Sequence, residues 1–196
     1  MHEKLKFNKT GQWELHKVQV SDDIRPGPWH QLHAPRGQYD HEDLKETNKV
    51  KVGDKDMYHH VFADRSGDVT RHTLSEHADP KKEAVSNVYG STVEGDWRLS
   101  AAKVHDDHVG HGYTGKLLHE VIKHHGTVIG DSQESKAGHA LMQSVGKDPR
   151  YEFYNPETVD LEGHLKQLES GKLSPDETKE LKRKAQDRAK ITLKRD

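Results

Sequence analysis

A glycine-bearing turn between a strand and an amphipathic helix is the feature that most constrains the fold of this 196-residue chain. Residues 97–104 read as the strand, and the turn covers residues 108–112. Four aliphatic residues then recur with helical spacing and give one apolar helix face: Leu117, Leu118, Val121 and Ile122. Backbone N–H groups in such a turn approach an anion closely, and the helix N-terminus adds a partial positive charge. The pattern predicts an anion-binding turn beside a sheet.

The alternation of strands and helices continues beyond this first helix. Gly126 is typical of a helix end, and residues 127–129 form a short apolar strand. Ser135 predicts the N-cap of a second helix that ends at Gly146. The inward face predicted for that helix consists of Ala137, Ala140, Leu141 and Val145. Period-two alternation over residues 151–154 predicts a last strand.

The sequence before residue 97 is more polar and predicts fewer elements. Residues 58–63 and 69–74 alternate as the two strands of a hairpin, with Ser66, Gly67 and Asp68 at the turn. Short strand-like pieces occur in the first fifty residues, among them Val18 and Val20. The two remaining stretches, 22–56 and 75–91, read as polar loops.

The C-terminal segment predicts two further helices. Leu161, Leu165 and Leu168 form a helical stripe that ends at Gly171. Ser174, Pro175 and Glu177 are a capping box with proline in the first turn, and they predict a charged helix to about Lys190. A solvated helix and a helix that docks a protein partner both fit this pattern. The chain thus divides into N-terminal strands and polar loops (1–56), a core (57–155) and a C-terminal helical extension (156–196).

Composition excludes several classes of protein. Hydrophobic residues make up 30% of the chain and charged residues 33%, so the core is small. The absence of cysteine excludes disulfides, thiolate metal sites and a cysteine nucleophile. A net charge of −2 predicts no nucleic-acid partner, and no stretch is long and apolar enough to predict a membrane span or signal peptide. We expect a cytoplasmic protein whose 17 histidines make its surface charge depend on pH.

Two nucleotide-binding motifs resemble the turn but are incomplete. Gly110 to Lys116 matches the P-loop pattern, but Leu117 follows where serine or threonine must bind magnesium. The glycine spacing also matches a dinucleotide fingerprint, and Asp131 follows the next strand as its acidic residue would. Because the chain lacks the remaining strand–helix repeats of either fold, both alternatives remain open but disfavoured.

A third pattern covers more of the chain. The strand, turn and helix over 97–118 are similar to the signature of the GNAT superfamily of acyl-CoA N-acyltransferases, in which a strand leads into Q/R-x-x-G-x-G/A and then two aliphatic residues. The second helix resembles that family's A-x-x-L-Y-x-x-x-G helix. The matching positions are Gly110, Gly112, Leu117, Leu118, Gly138, Leu141 and Gly146. The resemblance spans residues 58–154 and is specific over 97–146. In its general sequence character the chain looks most like divergent acetyltransferase-like proteins of bacteriophages.

The resemblance implies a fold and a ligand. The fold is α+β (with α/β character): a mixed, mostly antiparallel, twisted sheet flanked by helices, here with the C-terminal helical extension. The ligand is acetyl-CoA as co-substrate, with its pantetheine along residues 101–104 where that strand splays from its neighbour. The residues assigned to cofactor binding are Val104, Val109, Gly110, His111, Gly112, Tyr113, Thr114, Gly115 and Ser135.

The resemblance leaves the catalytic base undetermined. His60, Glu94, Asp96 and His105 are candidates by position. Met142 stands where the family often has a tyrosine that protonates the leaving thiolate, and methionine cannot donate a proton. Loss of that donor costs on the order of 10²-fold in rate.

Two further departures from the family pattern lie in the turn. Val109 replaces glutamine or arginine, and Thr114 replaces glycine or alanine. The Met142 and Val109 replacements, the polar composition and the appended C-terminal helices favour an alternative function, a non-catalytic protein with this fold that serves in a larger assembly such as a phage virion. A zinc site at His105, His108 and His111, with Asp106 or Asp107, is a further alternative, but we predict no metal because the same residues border the phosphate turn.

Overall fold

The computed structural model describes residues 3–7, 13–17, 20–21, 43–108, 110–130, 134–155, 161–184 and 189–195. Twelve strands lie in these residues: β1 (Glu3–Phe7), β2 (Trp13–Lys17), β3 (Val20–Ser21), β4 (Asp43–Val52), β5 (Lys55–Ala63), β6 (Val69–Ser75), β7 (Ser86–Val93), β8 (Asp96–Val104), β9 (Thr127–Ile129), β10 (Glu134–Ser135), β11 (Tyr151–Tyr154) and β12 (Lys190–Leu193). The α-helices are α1 (Tyr113–His125), α2 (Lys136–Gly146), α3 (Leu161–Glu169) and α4 (Pro175–Lys184). None of these helices has the length and apolar character needed to cross a membrane.

An eight-stranded sheet organises the molecule, in the order β11-β12-β9-β8-β7-β6-β5-β4. Strands β4 to β8 form an antiparallel meander, in which each strand pairs with the next along the chain; short turns join them except between β6 and β7, where ten residues (76–85) make the connection. The pair β8 and β9 is parallel, and α1 makes the crossover between them. The expected mixed, mostly antiparallel sheet with helices is confirmed at this level.

Two stretches predicted to be polar loops contain strands of this sheet. Residues 43–52 of the predicted loop 22–56 form β4, an edge strand whose side chains are mostly exposed. Residues 86–91 of the predicted loop 75–91 belong to β7, which lies between two partner strands and is mostly buried. β4 has an apolar alternation only at its end, where Val50 and Val52 pack against the core, and β7 buries serine and asparagine beside its valine. Val18 lies outside the described residues, and Val20 begins β3.

The C-terminal segment does not remain helical to its end. α3 and α4 lie where the sequence predicts them, and the N–H of Glu177 donates to the Ser174 hydroxyl at 3.1 Å. The described part of α4 ends at Lys184, however, and residues 190–193 form β12 rather than helix. β12 is inserted between β9 and β11, so β11 is not the last strand of the fold. The helical extension predicted over 156–196 is wrong in this part.

The apolar face of α1 forms the centre of the core. Leu117, Leu118, Val121 and Ile122 are fully buried, as the helical spacing predicts. They share one cluster with residues of the sheet and of α2, and burying each side chain contributes roughly 1.5–3 kcal/mol. On α2, Val145 is buried, but Ala140 is exposed, which corrects the predicted inward face. The side chain of Ala137 lies outside the described residues.

Candidate functional site

The site begins where two parallel strands separate. β8 pairs with β9 at only two positions, Trp97 with Val128 and Arg98 with Ile129. Beyond Arg98 the strands diverge, and a cavity of about 520 Å³ lies between β8, the start of α1 and α2. This volume is in the range of small-molecule sites, which in sheets with parallel strands lie beyond the carboxyl ends of those strands.

The edge of β8 that faces the cavity is free to bind a ligand along its backbone. Residues 99–104 of β8 line the cavity and have no partner strand on the β9 side. A register shift opposite Tyr89 and Gly90 leaves Ser100 as an extra residue in β8. Bulges of this kind bend a strand and redirect its backbone groups. An unpaired edge offers N–H and C=O groups to an elongated ligand that contains amides.

The mouth of the cavity is built from the glycine turn. A short 3₁₀ helix at residues 106–108 follows β8, and α1 begins at Tyr113. Gly110 and Gly112 have φ of 87° and 72°, a left-handed conformation that other L-residues rarely adopt. Gly112 is the N-cap of α1 and supplies no side-chain cap, and the first turn has no acidic residue. The N–H groups of this turn therefore remain available to an anion.

Most of the predicted cofactor-binding residues meet at this cavity. The described residues among them that line it are Val104, Gly110, Gly112, Tyr113, Thr114 and Gly115. His111 is exposed and lies against the ring of Tyr113 at 5.7 Å between centroids, outside the lining. Val109 lies outside the described residues. Ser135 lies in β10, paired with β3, and its side chain is not described.

Thr114 is accommodated by a hydrogen bond. Its hydroxyl lies 3.0 Å from the hydroxyl of Ser86, a buried residue of β7. The Ser86 hydroxyl also donates to the carbonyl of Lys103 at 3.0 Å. The start of α1 is thereby attached to the strand next to β8, so a residue larger than glycine stabilises the mouth of the cavity instead of blocking it.

The candidate bases predicted from the sequence lie away from the cavity. Neither His60, Glu94 nor His105 is among its lining residues. His60 is 1% exposed, accepts from the Thr47 hydroxyl at 2.9 Å and donates to the carbonyl of His77 at 3.0 Å, so its ring is fixed by structural bonds. Burial lowers the pKa of His60, opposed by the hydrogen bond to His77. The imidazole is therefore held neutral.

The other candidates also have local partners. Glu94 lies in the β7–β8 turn with φ of 53°, at the opposite end of β8 from the cavity. Asp96 forms an ion pair with Lys190 at 3.5 Å. Nε2 of His105 lies within hydrogen-bond distance, 3.0 Å, of the Glu83 carboxylate on the surface. These contacts give Asp96 and His105 a structural role.

Three lining residues outside the set assigned to cofactor binding have chemical consequences. Lys103 is the only fully charged side chain among the described lining residues, and His108 contributes an imidazole. Lys103 lies within the stretch of strand already expected to contact pantetheine, so its charge was a visible signal. Met142 is 1% exposed and lines the cavity from α2. Its thioether leaves this part of the wall without a proton donor.

The histidines near the turn do not converge on one point. His105 and His108 have ring centroids 5.8 Å apart, and His108 in turn lies 5.8 Å from the Tyr113 ring. Among the described residues, no group of three or more histidine, aspartate or glutamate side chains could hold a metal ion. The side chain of Asp106 is outside this description.

The arrangement suits one kind of ligand. It combines a strand edge for amide groups, a turn of free N–H groups beside Lys103 for an anion, and a closed end formed where β8 and β9 join. Comparison of the chain with models of known protein families and with curated proteins finds no match. The functional interpretation therefore depends on this geometry and on the resemblance of the turn.

Proposed function

We propose that this chain is a GNAT-type N-acyltransferase that binds acetyl-CoA, or another CoA thioester, and transfers the acyl group to an amine. The observation that carries the proposal is the opening between β8 and β9 with the glycine turn and the start of α1 at its mouth. A sheet that is antiparallel except for this helix-connected pair supports the same function.

In this proposal each part of the ligand meets a matching surface. The diphosphate binds the N–H groups of residues 110–115 and the ammonium of Lys103. The pantetheine amides bind the free edge of β8 at residues 99–104. The thioester then lies toward the closed end, where β8 joins β9 at Arg98 and Ile129. Free N–H groups on the bulged strand would polarise the thioester carbonyl.

The reaction is a direct displacement. The amine nitrogen attacks the thioester carbonyl carbon, a C–N bond forms, the C–S bond breaks, and CoA leaves as a thiolate. Water, or the imidazole of His108 at the cavity, takes the proton that the amine loses. Because Met142 cannot protonate the thiolate, we expect slow turnover, by roughly 10²-fold relative to a site with a proton donor.

A second candidate function is a non-catalytic protein that keeps this fold and serves in a larger assembly such as a phage virion, with a protein partner on the C-terminal helices. The burial of Met142 in the cavity wall favours it, as does the absence of a carboxylate among the described lining residues. Such a protein would either bind CoA and transfer no acyl group, or would bind neither CoA nor acetyl-CoA.

Calorimetry with acetyl-CoA and with CoA tests the proposal. Micromolar binding supports it, and no binding at millimolar ligand contradicts it. Gly112→Glu places a carboxylate against the diphosphate and should abolish binding, whereas Gly112→Gln has the same backbone strain without the charge. Gly67→Glu is a matched control, because Gly67 has φ of 79° and open surroundings in the β5–β6 turn.

An assay for free thiol separates the enzyme from the non-catalytic protein. The protein is incubated with acetyl-CoA and a panel of primary amines, and CoA release and acetylated amine are measured together. Equal amounts of both products support transfer. Tight binding of acetyl-CoA with no amine-dependent release over hours would support the non-catalytic function instead.

A further inference from the structure

Three imidazoles form a continuous hydrogen-bonded chain in the interior, far from the glycine turn. Nε2 of His59 lies 2.8 Å from Nδ1 of His72, and Nε2 of His72 lies 2.8 Å from Nε2 of His125. His59 comes from β5, His72 from β6 and His125 from the last turn of α1. These three residues, called the histidine chain below, connect the C-terminal end of α1 to two strands of the sheet.

The histidine chain lies in an apolar and aromatic environment. His59 and His72 are 2% and 0% exposed, and His125 is partly buried. The ring of Trp97 stacks on His125 with centroids 4.8 Å apart and meets His72 edge-on at 5.7 Å. The indole N–H donates to the Thr70 hydroxyl, so it is not a partner for the imidazoles.

The hydrogen bonds limit the number of protons that the histidine chain can hold. Each of its two N···N contacts contains one hydrogen, because two N–H groups cannot face each other at 2.8 Å. The neutral state satisfies both contacts, and one extra proton on His72 would let it donate to both neighbours. A second extra proton must break a contact. In the unfolded chain all three rings titrate freely near pH ~6.5.

Charged groups near the histidine chain are directed elsewhere. On β4, Glu46 pairs with His124 at 3.5 Å. On α1, Glu120 pairs with Lys116 at 3.7 Å and Lys123 at 3.3 Å. His60, next to His59 on β5, bonds to Thr47 and His77 instead.

The pKa directions agree with this geometry. Burial lowers the pKa of His59 and of His125 to about 4, and Glu120 and Glu46 oppose the shift at His59 only in part. Burial, with His59, His125 and His124, lowers the pKa of His72 well below its ordinary value.

The histidine chain does not have the geometry of a metal site. A single ion cannot accept one nitrogen from each ring, because His72 uses its two nitrogens on opposite neighbours. The N···N contacts are hydrogen-bond lengths, whereas two imidazoles on one zinc ion, each at ~2.0–2.1 Å, stand farther apart.

We propose that the histidine chain is an acid-sensitive latch that fastens the C-terminal end of α1 to β5 and β6 at neutral pH and releases it in mild acid. Release exposes the three rings to water, where together they take up more protons than the closed histidine chain can hold. Because α1 also forms the mouth of the cavity at its other end, opening of the latch would dismantle the ligand site as well.

The direction of the effect follows from linkage. The folded-state pKa values lie below those of the unfolded chain, so the stabilisation is complete above pH ~7 and is lost as pH falls toward about 4. For a ring that shifts from ~6.5 to about 4, the unfolding equilibrium constant rises by roughly 20-fold between pH 7 and pH 5. His59 and His125 together give roughly 400-fold, and the lowered pKa of His72 acts in the same direction.

Urea unfolding of the full chain at several pH values between 8 and 5 tests the proposal. The wild type should lose stability steeply below pH 6.5, and His72→Leu should flatten the pH dependence even if it is less stable at pH 8. His77→Gln is the control, because His77 is exposed and should leave the slope unchanged. Equal slopes for the wild type and His72→Leu would overturn the proposal.

A second measurement needs no variant. Imidazole ¹⁵N and ¹³C chemical shifts of the wild type, followed from pH 8 to pH 5, report the protonation of each ring directly. We expect three neutral rings that do not titrate until the protein opens. Simultaneous hydrogen exchange should show faster exchange in the last turn of α1 as the latch opens. Ordinary titration of His72 in the folded protein would overturn the proposal.

Discussion

The two ends of β8 differ in strand pairing and in packing. At its start, Trp97 is 2% exposed, pairs with β9 and packs on the histidine chain. At its other end, residues 99–104 have no partner on the β9 side and line a cavity. α1 spans both, with glycines at its open end and histidines at its closed end. The comparison suggests a division of roles along β8 and α1. Close packing at one end fixes the positions of both elements, so that a cavity can remain at the other end without being filled by side chains.

The largest loss of stability is expected from removing the indole of Trp97 at the closed end of β8, where β8 pairs with β9. Trp97→Ala leaves a cavity beside the histidine chain and an unpaired Thr70 hydroxyl, so we expect a loss of about 3–5 kcal/mol in the free energy of unfolding. Urea titration at pH 7.5 measures it. Trp97→Phe retains most of the volume and should lose clearly less; equal losses would contradict the packing role.

A smaller loss is expected from adding volume at the same end. A Cβ on Gly90 would overlap the carbonyl oxygen of Arg98 and the ring of Trp97. Gly90→Ala should therefore cost about 1–3 kcal/mol. Circular dichroism during denaturation measures the loss. Gly115→Ala is a control for the substitution without a clash, since Gly115 has no positive φ and the nearest atoms to its Cβ lie 4.0 Å away. A Gly90→Ala protein as stable as the wild type would mean that β7 and β8 are farther apart there.

At the open end, we expect charge to matter for binding rather than for folding. Lys103→Gln removes the positive charge of the cavity lining, so the Kd for CoA should rise by about tenfold at low salt, which corresponds to ~1.4 kcal/mol. The difference should shrink at high salt because of screening. Calorimetry at two salt concentrations measures it. Lys82→Gln, an exposed lysine outside the cavity lining, serves as the control.

The smallest change in stability is expected when the open end is filled. Ala140 is exposed on the cavity side of α2, so Ala140→Phe should change the free energy of unfolding by less than about 0.5 kcal/mol. The same substitution should weaken acetyl-CoA binding by more than tenfold, because the ring occupies the ligand volume. Thermal unfolding and calorimetry on the same sample compare the two. A large loss of stability would mean that the open end is packed like the closed one.

The sequence predicts the central strand–helix–strand unit well because its signals are local. The stripe from Leu117 to Ile122 and the positive φ of Gly112 both follow from the residues themselves. β4 and β7 were missed because pairing with neighbouring strands determines these largely polar segments. β12 was missed because its alternation, Ile191 and Leu193, is short and follows a strongly charged helix. Most residues around the cavity could be predicted from the sequence. The existence of the cavity could not, because it depends on where β8 and β9 stop pairing, which is not a local property.

The histidines show the same limit. Their number predicts a surface whose charge changes with pH, yet His59 and His72 lie in the interior. No local pattern distinguishes them from exposed histidines, because their burial depends on α1 packing across two strands. The pH dependence that follows concerns stability as well as surface charge.

The position of β12 has a consequence for synthesis of the protein. β9 and β11 have no common partner until residues 190–193 have emerged from the ribosome, although both strands are made about forty to sixty residues earlier. Until then a nascent chain presents two bare strand edges, which can pair with other polypeptides. Completion of the sheet therefore waits for residues that are synthesised well after its other strands.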